Sequence, residues 1–268
     1  MPSGVRRVLA AEGLKLRRRK TTFVVPVLLV AISVVATVGV HQAARRQWIG
    51  EATGFHVAAS ALQLLVNLVL LLVVVVSSFL VAREFGWGTA KSAWIRPLSR
   101  SDWVGGKLLF AAGLSSGMWI AVLVPVIALA AATAGFEDLM EKDYLLHPAG
   151  SLWGHLLLAA GLTQWSLWAV TVVAAALAAL CGHPGGAVTA GVGLGLLMTL
   201  LSVFPGAEPF LLSTYVSMPW EQMIAMSKGL PLPHAWGDVF AMVFLGAGVW
   251  MVIAFALTMR TVRTREVN

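Results

Sequence analysis

Apolar runs of membrane length alternate with short polar connections along the whole chain. They fall at 22–41, 57–82, 108–134, 153–180, 186–204 and 238–259. A helix rises about 1.5 Å per residue, so about twenty apolar residues cross about 30 Å of hydrocarbon. The pattern therefore predicts six transmembrane helices. Ahead of them, residues 1–21 interleave Val5, Val8, Leu9, Leu14 and Leu16 with Arg6, Arg7, Lys15, Arg17, Arg18, Arg19 and Lys20. That spacing predicts an amphipathic interfacial helix. Residues 205–237 stay rich in apolar side chains, yet Pro205, Pro209, Pro219, Pro231 and Pro233 interrupt them. Two short external helices, around 208–217 and 219–228, fit this stretch before the last span. Their backbone must be covered by protein or reach water. A compact external cap with its own small core is the other reading.

Composition sets the class. Hydrophobic residues make up 59% of the chain and charged ones 12%, against about 25% charged in soluble domains. The expectation is an all-α integral membrane protein with one domain over 1–268. A net charge of +7 would suit nucleic acid, but 15 of the 19 Lys and Arg lie in the N-terminal arm, the 83–107 loop and the tail. These are alternate connections, so the positive-inside rule explains them and no nucleic-acid partner is expected. The same rule puts both termini in the cytoplasm of a multi-pass plasma-membrane protein. No cleavable signal peptide is expected, because the first apolar run is long and no small-residue cleavage site follows it. Cys181 is the single cysteine, so neither an intrachain disulfide nor a thiolate metal site can form within the chain.

Ionisable groups at membrane depth are costly and mark function. Here His41, Asp238 and Arg260 fall only at span ends. An intramembrane protease, a proton relay or a carboxylate-bound metal has nothing to build on, so neither a catalytic residue nor a metal site is expected. The polarity at depth is neutral. Gln63, Asn67 and Ser78, with Ser77 beside them, form nearly one helix face, suited either to an amphipathic cargo or to interhelical hydrogen bonds. Thr163, Gln164 and Ser166, among Trp165 and Trp168, favour packing. Gly191-Val192-Gly193-Leu194-Gly195 is not a phosphate loop, because it lies inside an apolar run with no Lys-Ser or Lys-Thr after it. Gly191 and Gly195 instead permit close helix approach, within the chain or at a dimer seam. Cys181-Gly182-His183-Pro184-Gly185-Gly186 reads as a tight turn with His183 in solvent.

The 83–107 loop carries Arg83, Lys91, Arg96, Arg100 and Lys107 against Glu84 and Asp102, with Trp87, Trp94 and Trp103. Topology accounts for the charges but not for three tryptophans. Arg and Trp are favoured interface anchors, so the loop suits a soluble partner.

Three features together resemble the membrane subunits of type-2 ABC exporters, the multidrug and peptide-antibiotic permeases. Ala11-Glu12-Gly13-Leu14-Lys15-Leu16 is similar to the family's opening before the first span. Arg83-Glu84-Phe85-Gly86-Trp87-Gly88-Thr89, then Pro97-Leu98-Ser99-Arg100 and Gly106-Lys107, resemble its succession after the second span. The six-span layout is the last feature. The resemblance implies that Glu12 and Lys15 belong to a connecting helix. It also implies that Glu84, Gly88, Thr89, Pro97, Ser99, Arg100 and Lys107 belong to a loop that couples to an ABC ATPase. Arg83, Lys91, Trp87 and Trp94 join that set as neighbours. The implied function is ATP-driven export, hence efflux and antibiotic resistance, of an amphipathic peptide antibiotic, lipid or drug. Catalysis would belong to the partner: no nucleotide motif occurs here, so ATP and Mg would bind the separate ATPase. A second permease copy, identical or related, would complete the path. The alternative is a non-transporting immunity or assembly factor that acts through protein contacts.

Overall fold

The computed structural model describes residues 3–18, 21–47, 53–86, 99–141, 144–202, 204 and 206–264. Its helices are α1 (Ser3–Arg17), α2 (Thr21–Gln47), α3 (Gly54–Gly86), α4 (Arg100–Ala134), α5 (Ala149–Cys181), α6 (Pro184–Leu201), α7 (Leu212–Ser227) and α8 (Trp236–Thr264). Five of them are long and apolar enough to cross a membrane: α2, α3, α4, α5 and α8. The sixth expected span, α6, has 18 residues, or about 27 Å of helix. The most apolar stretches of α5 and α3 are 61% and 50% buried, against 17% in α2 and 22% in α8. The first pair is therefore the centre of the bundle and the second pair its exposed flanks.

Local chemistry sets the helix ends. Gly182 takes the left-handed conformation (φ 73°) that closes α5, which glycine adopts without a Cβ penalty. His183 then caps α6, its Nδ1 accepting from Gly186 N at 2.9 Å. Pro184 occupies the first helical position, where no N–H is missed. Ser99 caps α4, accepting from Asp102 N at 3.0 Å.

Contacts sort the ends of the elements into two groups. At one end of the bundle, Gly86 abuts Pro184, where a Cβ on the glycine would lie 2.9 Å from the ring. Arg100 Nη1 donates to the carbonyls of Val262 and Arg263 at 3.2 and 2.6 Å, a cation on the negative end of α8. At the other end Gly54 N donates to Gly135 O at 2.7 Å, and Phe55, Phe136 and Trp153 pack ring against ring at 4.4–5.5 Å.

The described residues are all-helical apart from a short antiparallel hairpin of Leu139–Glu141 (β1) and Tyr144–His147 (β2). One expectation is corrected. In place of two short helices around 208–217 and 219–228 there is a 3-10 turn at Glu208–Phe210 and one helix, α7, that runs through Pro219. Proline has no N–H to give the carbonyl four residues back. Here Ser166 Oγ, from α5, lies 3.1 Å from that carbonyl, Tyr215 O, and 3.1 Å from Leu162 O, so the orphaned acceptor shares one hydroxyl donor with α5.

Candidate functional site

The buried face of α1 is Val5, Val8 and Glu12, three positions on one side of a helix. Leu14, part of the expected apolar face, is exposed. α1 docks on the first turns of α4, and small residues make the approach possible. A Cβ on Gly4 would lie 2.5 Å from Asp102 Oδ2, and one on Gly106 would lie 2.6 Å from Val8 Cβ. Gly106 opens the space that Val8 fills, and the next residue, Lys107, reaches Glu12.

Four charges from three helices meet there. Lys107 Nζ lies 2.9 Å from Glu12 Oε1 and 2.7 Å from Glu84 Oε1. Lys15 Nζ lies 2.7 and 2.8 Å from the same two oxygens. Trp103 Nε1 donates to the other Glu84 oxygen at 3.0 Å, and Lys107 also donates to Leu80 O at 3.4 Å. Among the described residues the two carboxylates are balanced by two ammoniums, which is how buried charge is tolerated. Lys107 is 1% exposed and Lys15 45%, so one lysine forms the core of the cluster and the other its water-facing edge. Burial works against the charge of Lys15, yet the hydrogen bonds and charges of Glu84 and Glu12 outweigh it and raise its pKa.

The other expected coupling residues divide. Arg83 is buried in the last turn of α3. Ser99 caps α4 and Arg100 holds the end of α8. Trp87, Gly88, Thr89, Lys91, Trp94 and Pro97 lie outside the described residues. Sequence reasoning missed Trp103 as a Glu84 ligand and Gly106 as the seat of α1. The Gly-Lys pair was the available signal for the second.

The neutral stripe on α3 also divides. Ser78 is buried, its Oγ 3.4 Å from Ala174 O on α5, an interhelical contact. Gln63 and Asn67 line a polar cavity of about 400 Å³ together with α7, Ser202, Glu208 and His234. Asn67 also borders an apolar cavity of about 350 Å³ between α3, α5 and α6. Gly191 packs within the chain, where a Cβ would lie 2.5 Å from Val74 Cγ1, whereas Gly195 faces open space in the apolar cavity.

The fold and this cluster define a multi-pass helical membrane protein whose N-terminal arm is locked to its second and third long helices. A family model described as ABC-2 family transporter protein matches residues 8–180. The match covers more than half of the chain, which therefore belongs to that family and is a permease subunit of an ABC transporter. The family implies an ATPase partner. No curated protein shows significant similarity to the chain.

Proposed function

We propose that the chain is the membrane half of an ATP-driven exporter and that residues 87–98 take the push of a separate ATPase that binds ATP and Mg. The observation that carries this reading is the Glu12–Lys15–Glu84–Lys107 cluster. It ties the helix before these residues to the helix after them, and both to α1. A displacement of the segment is then passed to α3 and α4 together, because neither can shift without separating buried charges. Glu84 and Lys107 act in this scheme as positioning residues rather than as contacts of the ATPase. Glu12 and Lys15 carry the motion into the connecting helix.

α6 counts as the sixth crossing in this reading, since it runs from Gly86 at one end of α3 past Val74 and Ser78. The end that gathers the arm, the 83–107 region and the tail is cytoplasmic, as its 15 of 19 basic residues favour. A second permease copy encloses the path for an amphipathic cargo, a peptide antibiotic, lipid or drug.

The test is recovery of the tagged full chain from its native membranes in mild detergent, with bound proteins identified by mass spectrometry. An ABC ATPase should accompany the wild type and be depleted with Trp87→Ala and Trp94→Ala. Absence of any ABC ATPase from the wild-type sample, where other such complexes survive, would overturn the reading and favour the assembly-factor role.

A further inference from the structure

The two cavities meet at Asn67 and Ser213, which line both. The polar one holds Glu208, Glu221 and His234, and among the described residues neither Lys nor Arg lines it. Both carboxylates are exposed at its rim. Gln63 Nε2 donates to Glu221 at 3.4 Å, which leaves Gln63 Oε1 as an acceptor. That oxygen and Ser213 Oγ are buried without a hydrogen-bond partner among the described residues. Buried polar atoms are normally paired, and an unpaired one invites a water or a ligand group. The apolar cavity is walled by Leu70, Val74, Val170 and Leu177, with Gly195 leaving room on α6. Its size suits a short apolar body.

We propose that the joined cavities form one site for a cationic amphiphile. Its N–H-bearing head, an ammonium or guanidinium, lies at the Glu208–Glu221 mouth, and its apolar body lies between α3, α5 and α6. The carboxylates attract the charge from water. Gln63 Oε1 and Ser213 Oγ accept its N–H groups, and the apolar cavity takes the part that water rejects. An anionic amphiphile meets two carboxylates that no Lys or Arg among the described lining residues offsets. This inference rests on the exporter reading for treating the ligand as cargo.

The probe is rhodamine 6G, a cationic fluorescent amphiphile with N–H groups. Its anisotropy is followed with the full chain in phosphatidylcholine nanodiscs, with empty nanodiscs as the blank. Saturable binding is expected, displaced by dodecylguanidinium and not by dodecyl sulfate at equal concentration. Glu208→Gln with Glu221→Gln should weaken it about tenfold, the factor that about 1.4 kcal/mol represents. These side chains are at the rim, so the fold should survive, as thermal unfolding would check. Gly195→Leu, which fills the apolar cavity without touching a charge, should weaken binding as well. Wild-type affinity in both variants, or equal displacement by dodecyl sulfate, overturns the proposal. ATPase recovery separates the two readings: a bound ATPase without dye binding sinks only this site, and dye binding without an ATPase sinks only the exporter reading.

Discussion

Lys107 Nζ lies 2.7 Å from Glu84 Oε1, so α3 and α4 are bound to each other at the point where residues 87–98 leave and return. The same ammonium is 2.9 Å from Glu12 Oε1. Removing one member of a buried charge group leaves the others uncompensated, at a cost of about 3–5 kcal/mol. Lys107→Met should therefore lower the thermal stability of the purified chain by that order. Adding Glu12→Gln should recover part of the loss, because one of the stranded charges goes with it. Strict additivity of the two changes would mean that the pair does not couple.

Gly106→Ala should loosen the N-terminal arm. The new methyl would meet Val8, and overpacking costs about 1–3 kcal/mol. Protease cleavage within α1 should accelerate, and Val8→Ala in the same chain should slow it again. An unchanged cleavage rate in Gly106→Ala would show that α1 does not depend on this seat.

Ser166→Ala should destabilise by about 0.5–1.5 kcal/mol, since the buried Tyr215 carbonyl loses the hydroxyl it shares with Leu162 O. Pro219→Ala restores an N–H four residues on, so the double variant should be more stable than Ser166→Ala alone. Unfolding curves of the four proteins decide the matter, and a double variant no better than the single one would refute it.

Lys15 gives a pH dependence. Its pKa is raised above the ordinary 10.5 in the folded chain. Its contribution is therefore fully present below that ordinary value and is lost as pH climbs through the raised one. Lys15→Gln should be less stable than the wild type at neutral pH, and the gap should close at strongly alkaline pH. A gap that stays constant would argue against ion pairing at this position.

Much of the bundle was legible because hydrocarbon imposes a length on apolar runs. Glu12, Lys15, Glu84 and Lys107 stood out in short motifs, but their meeting did not. Three helices have to be placed before an arm residue and one from α4 are neighbours. Pro219 misled for the same reason, since the donor shared with the orphaned carbonyl of α7 comes from Ser166 on another helix. His183 read as a solvated turn residue and is exposed; what the reading left out is that it also caps α6, a local arrangement that Pro184 and Gly186 already favoured. The hairpin at 139–147 was hidden by its shortness, with only three and four residues per strand.

Glu12 is 95 residues ahead of Lys107 in the chain, so on the ribosome it emerges long before the lysine that buries it. Lys15, one turn away, is available at once as a partner in water. The acid therefore leaves the ribosome with a companion but without a berth. It gives up its hydration only when the first turns of α4 have been synthesised and have met α1. An acid made well ahead of α4 thus waits for α4 before it is buried.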